Sequence, residues 1–108
     1  MMGTEAIRRK IMRGAVAMAL YEAQDSPLLA QTIERMLEPV NPAAADDMAL
    51  CVNYLLDRGY VKICQECEPS GTRPMPHALL LRITDKGQDL CEGTLRDPGV
   101  IFPKADRR

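Results

Sequence analysis

Cys64 and Cys67 have the one metal-like spacing in the chain, and His77 is its single histidine. A structural zinc takes four thiolate or imidazole ligands, and Cys51, Cys91 and His77 are the residues that remain to complete such a set. Cys51 and Cys91 fall on apolar helical stripes, where cysteine acts as a small buried hydrophobe. There is no second Cys-x-x-Cys and no His pair. A redox role is disfavoured because Cys64-Gln65-Glu66-Cys67 follows a strand and does not open a helix, and a cytosolic chain keeps such thiols reduced. Neither a metal nor a cofactor is therefore expected. One histidine in a proline-flanked loop, with scattered carboxylates, identifies no nucleophile and base set, and there is no GxxxxGK[ST] phosphate loop. The expectation is a protein that is not an enzyme.

The remaining candidates for chemistry are cations. Arg8, Arg9, Lys10 and Arg13 cluster near the N-terminus, Lys62 and Arg82 lie in strand-like stretches, and Arg73 lies between them in a Pro- and Gly-rich segment. The net charge of −1 is unevenly spread: +3 over residues 1–13, −6 over 14–57 and +2 over 58–108. A broad basic footprint for phosphate binding is absent, so any basic patch must be local.

The chain of 108 residues suits a single small domain, expected over residues 4–96 with a tail over 97–108. Apolar residues make up 46% of it but aromatic residues only 4%, with no Trp, so Leu, Ile, Val, Met and Ala must build the core. Such a core suits packed helices. No apolar run reaches the ~18 residues that would span a bilayer, and no apolar leader with a cleavage site opens the chain. A soluble, cytoplasmic protein without membrane contact is expected.

Thr4 to about Ala23 has helical periodicity, with Ile7, Ile11, Ala15 and Met18 on one stripe and Met12, Val16, Ala19 and Leu20 beside it. Burial on a wide face is expected, with Arg9 and Arg13 projecting from the other side. The excess apolar surface also suits a homodimer seam. Gln24-Asp25-Ser26-Pro27 breaks the helix, with Ser26 a candidate N-cap. Leu29, Ile33, Met36 and Leu37 mark a second helix, although Pro27-Leu28 can instead form a short edge strand pairing with the later hairpin. Pro39 interrupts that helix, Asn41 can cap the next, and Pro42 fits its first position.

The third helix is expected from about Pro42 to Arg58, burying Met48, Cys51, Val52 and Leu55, with Leu56 widening the stripe. Asp46 and Asp47 near its N-terminus favour the helix dipole and repel nucleic-acid phosphates. Its outward face is Asp46, Ala49, Asn53 and Asp57. Gly59 ends the helix, and Tyr60 to Gln65 alternates as a strand, with Val61 and Ile63 on one face. Leu79, Leu81 and Ile83 form the matching strand. Glu66 to His77 is too long for a tight turn and reads as a flexible wing with Arg73 near its tip. Thr84 caps a last helix holding Leu90, Cys91 and Leu95, which Asp97-Pro98-Gly99 terminates. Val100, Ile101 and Phe102 are expected to dock on this subunit or another.

The run Leu55-Leu56-Asp57-Arg58-Gly59-Tyr60-Val61, followed by Leu81-Arg82-Ile83-Thr84-Asp85-Lys86-Gly87, resembles the winged helix-turn-helix superfamily, in the layout of bacterial MarR-, PadR- and ArsR-type regulators. With Pro98-Gly99-Val100 after a short Gly-containing helix, the chain is also similar to the small winged-helix proteins of Mu-like phages and prophages. The resemblance implies a mainly α fold with a small β-hairpin: a three-helix core, a wing hairpin and a C-terminal helix. It further implies a homodimeric transcriptional regulator that binds double-stranded DNA. Arg73 on the wing would enter a minor groove, with Asn53, Lys62 and Arg82 in support and Arg8, Arg9 and Arg13 as further contacts. Asp46 and Asp47 depart from DNA-reading relatives. The competing expectation is a winged helix that serves as an interaction or assembly module, its acidic third-helix face docking a basic protein partner.

Overall fold

The computed structural model describes residues 4–23, 26–39, 41–42, 44–66 and 79–102. Its elements are α1 (Thr4–Ala23), β1 (Leu28–Leu29), α2 (Ala30–Leu37), α3 (Ala44–Asp57), β2 (Val61–Glu66), β3 (Leu79–Ile83) and α4 (Asp85–Glu92). The fold is mainly helical with a small antiparallel sheet of order β1-β3-β2.

The centre is the apolar flank of α3. Met48, Cys51, Val52 and Leu55 are all buried, in the i, i+3, i+4, i+7 pattern of one helical face. They meet Met12, Val16, Ala19 and Leu20 of α1, Ala30 and Ile33 of α2, and the sheet residues Val61, Leu79, Leu81 and Ile83 in one cluster. On β3 the burial alternates along the strand, as expected where one sheet face covers a core. Among the described residues no helix is long and apolar enough to cross a membrane.

The end of α3 is set by backbone bonding. Gly59 takes a φ of 78°, its N–H donates to the Leu56 carbonyl at 3.0 Å, and the Tyr60 N–H donates to the Leu55 carbonyl at 2.9 Å. This pair of bonds satisfies carbonyls that the helix end would leave orphaned, and packs Tyr60 back onto Leu55. β2 begins at the next residue. At the start of α4 the Thr84 hydroxyl accepts the Gly87 N–H at 3.0 Å, the expected cap.

Several local expectations change. β1 forms where an edge strand was the alternative: Leu28 pairs with Leu81 and Leu29 with Leu80, so α2 starts at Ala30 and Ser26 does not cap it. α3 starts at Ala44, beyond Asn41 and Pro42; Asn41 instead turns its Nδ2 to Met12 Sδ at 3.0 Å. Tyr60 is buried, since it precedes the strand, and Ile63 is 38% exposed although it pairs with buried Leu81; a bulge follows between Ile63 and Gln65. α4 stops at Glu92, leaving Leu95 beyond it but packed on the core. On α1 the Met12 stripe is buried together with Gly14 and Ala17, while Ile7 and Ile11 are 44% and 38% exposed.

Residues 97–102 belong to the packed unit. Val100 is buried, Phe102 packs on the core, and the Ile101 N–H donates to the Lys10 carbonyl at 3.0 Å.

Gly87 is where the hairpin and α4 touch. A Cβ there would collide with the Tyr60 carbonyl and approach Ile83 Cγ1 to 2.7 Å. Gly87→Ala is expected to destabilise the fold by about 1–3 kcal/mol, an overpacking cost, measured by chemical denaturation. An unchanged midpoint would contradict this packing.

Candidate functional site

The hairpin register brings two of the sequence-predicted cations together. Lys62 lies directly opposite Arg82, so both project from the same sheet face. Lys86, the second residue of α4, lies beside them, and Lys62, Arg82, Thr84, Lys86 and Gln88 line a polar groove of about 410 Å³ that also includes Asp85. Thr84 fixes this corner: its hydroxyl donates to the Gly59 carbonyl at 2.6 Å while accepting the Gly87 N–H. The Lys86 ammonium sits over the Tyr60 ring, 5.4 Å from its centroid. Three cations, Lys62, Arg82 and Lys86, against the one carboxylate of Asp85 make the lining of the groove net positive. The groove therefore suits a phosphate or carboxylate. Lys86 was missed in the sequence because its place beside Lys62 and Arg82 depends on how α4 packs against the hairpin.

The other predicted residues separate. Asn53 is exposed on α3. Arg8 forms ion pairs with buried Asp47 at 3.2 Å and with Glu5 at 3.9 Å. Arg13 donates to the Gly99 carbonyl at 2.9 Å and lies 3.9 Å over the Tyr54 ring. Arg9 is half-buried. Two of the three α1 arginines thus spend their charge on their own protein. Arg73 lies outside the described residues, as do Cys67 and His77.

A second polar cluster surrounds Asp97, which is buried. Its carboxylate accepts the Tyr54 hydroxyl at 2.8 Å, the Tyr60 hydroxyl at 2.7 Å and the Gly99 N–H at 2.7 Å, and Arg58 stands 3.7 Å away. Desolvation alone would raise the Asp97 pKa, but the Tyr60, Gly99 and Tyr54 hydrogen bonds and the Arg58 charge together hold it below its ordinary value. Burial, then the bond to Asp97, pushes Tyr60 up to about 12. Both tyrosines are neutral donors at physiological pH. The cluster ties α3, the start of β2 and the C-terminal segment to one another, which is a structural role.

Among the described residues no group of three or more His, Cys, Asp or Glu is placed to hold a metal. Burial pushes the Cys51 thiol up to about 11 and the Cys91 thiol up to about 12, the latter with help from the charges of Glu92 and Glu22. At neutral pH both are protonated and poor nucleophiles. Cys64 is exposed. An apolar groove of about 450 Å³, lined by Leu90, Cys91, Leu95, Val100 and Phe102, runs between α4 and the C-terminal segment. No known protein family, characterised protein or solved structure matches the chain.

Two outcomes follow from these environments. A folded carboxyl that titrates below 3.8 stabilises the fold above that value and loses its contribution as pH falls through the depressed folded pKa. Below about pH 4 the stability of the native chain should therefore fall more steeply than that of Asp97→Asn, measured by denaturant titration at stepped pH; equal slopes would exclude the cluster as the cause. Mass spectrometry after brief alkylation at neutral pH should find Cys64 modified well before Cys51 or Cys91. Early labelling of Cys51 would contradict its burial.

Proposed function

We propose that the chain is a winged-helix DNA-binding protein, a transcriptional regulator of phage or prophage type, that grips duplex backbone at the base of its hairpin. The order helix, short strand, helix, helix, hairpin, with the short strand on the outer side of β3, supports the winged-helix reading. The observation that carries the function is the juxtaposition of Lys62, Arg82 and Lys86 in one groove. Arg73 belongs to the segment joining β2 to β3, so the wing would extend this cationic base. Asp47 weakens the binding less than its charge implies, because it is buried and paired with Arg8. Asn53 is the exposed α3 side chain of a type that reads bases, and the α1 arginines contribute little beyond Arg9.

One observation favours a second reading. Leu50 is 52% exposed on α3, in the same stripe as Asn53 and Asp57. An apolar residue flanked by an acidic one suits a protein partner with a basic rim better than it suits a phosphate-lined groove. In that reading the domain is an interaction module.

Duplex affinity across a salt series distinguishes the two. Binding is expected at about 50 mM salt and should fall steeply as salt rises, and Lys62→Ala, Arg82→Ala or Arg73→Ala should each reduce the log–log salt slope by about one. Absence of duplex binding at about 50 mM salt would reject the DNA reading and leave the interaction module.

A further inference from the structure

The apolar groove of about 450 Å³ between α4 and the C-terminal segment has no part in the hairpin site. Leu90, Cys91 and Leu95 form one wall, and Val100 and Phe102 the other. Leu90 and Val100 are buried, but Cys91, Leu95 and Phe102 are covered only in part, which leaves the chain's one Phe partly open along the groove. Asp97 also lines it, yet its carboxylate is already taken by the Tyr54 and Tyr60 hydroxyls and the Gly99 N–H. Water held between such walls finds few partners, so an apolar ligand displaces it favourably. The volume lies within the range of about 300–1,000 Å³ that small-molecule sites occupy. With no free hydrogen-bonding side chain between the walls to fix a polar ring, a flexible alkyl chain suits them.

Arg96 selects the head group. It lines the same groove, is exposed, and pairs with no carboxylate among the described residues. The negative charges near the groove act at Cys91 instead, where Glu92 and Glu22 both raise the thiol pKa and the C-terminal end of α4 adds its partial charge. An anionic head is therefore repelled from Cys91 and drawn to Arg96, with its alkyl chain toward Cys91. Residues 103–108, Pro-Lys-Ala-Asp-Arg-Arg, are mostly charged, so the chain's own continuation is a poor occupant for apolar walls.

We infer that this groove binds a medium-chain aliphatic carboxylate, its alkyl chain between Leu90, Leu95, Val100 and Phe102 and its carboxylate on Arg96. The inference is independent of what the hairpin groove binds. Calorimetric titration of the full chain with hexanoate, heptanoate and octanoate below their micellar concentrations tests it. Each added methylene should tighten Kd by about threefold to fourfold, the effect of taking one CH₂ out of water. Octanoate should bind about tenfold or more tightly than octyltrimethylammonium. Arg96→Glu, at an exposed site, should reverse that order and leave octanol binding as it was. During prolonged alkylation read by mass spectrometry, octanoate should slow modification of Cys91 and leave that of exposed Cys64 unchanged. Absence of octanoate binding at about 10 mM would overturn the inference. So would a Kd indifferent to chain length, an octanoate affinity that Arg96→Glu leaves unchanged, or a Cys91 that octanoate does not protect.

Discussion

The end of α3, the hairpin, α4 and the C-terminal segment meet at Tyr60. Its N–H closes the end of α3 on Leu55, its carbonyl accepts the Thr84 N–H at 3.0 Å, and its hydroxyl donates to Asp97. The same carbonyl crowds Gly87, and the ring lies beneath Lys86. A buried backbone polar group left without a partner costs as much as a lost hydrogen bond, and a buried carboxylate costs more. The residue therefore admits one position, and that position sets how the hairpin leaves α3 and how α4 returns to it. The cationic groove is a consequence, since Lys62, Thr84 and Lys86 are all placed from this junction.

The distribution of charge follows from the same packing. Asp47 is buried, and a buried carboxylate needs a counter-charge; Arg8 supplies it from α1. Arg13 and Arg58 both lie over Tyr54, at 3.9 and 4.6 Å from its ring centroid, and Arg13 also closes the turn at Gly99. These cations hold helices and the C-terminal segment together, whereas Lys62, Arg82 and Lys86 gather at the base of the hairpin. A chain that is nearly neutral overall can still present a local cationic groove, because its acidic residues over 14–57 are carried on other elements.

Much of the fold was legible in periodicity. The helical spacing of Met48, Cys51, Val52 and Leu55, the alternation of Leu79, Leu81 and Ile83, and the Gly59 and Thr84 boundary residues each depend on local backbone geometry, which neighbouring residues dictate. Less was legible at the site. The Lys62 and Arg82 pairing needed the register of β2 against β3, which is a contact between residues 20 apart and not a local pattern. Lys86 entered only once α4 was placed.

The sequence by itself determined the order of the main helices and of the two hairpin strands and which flank of α3 is buried, because apolar periodicity and capping act over a few residues. Tertiary structure alone decided that Asp97, 37 residues along the chain from Tyr60 and 43 from Tyr54, would collect both of them. It also decided that the Met12 stripe of α1, and not the Ile7 stripe, would meet the core. Both stripes have the same period and similar hydrophobicity, so only the shape and charge of what packs beside them separates the two: Asp47 and Tyr54 draw the arginine side of α1 toward α3, and the isoleucines are left outward.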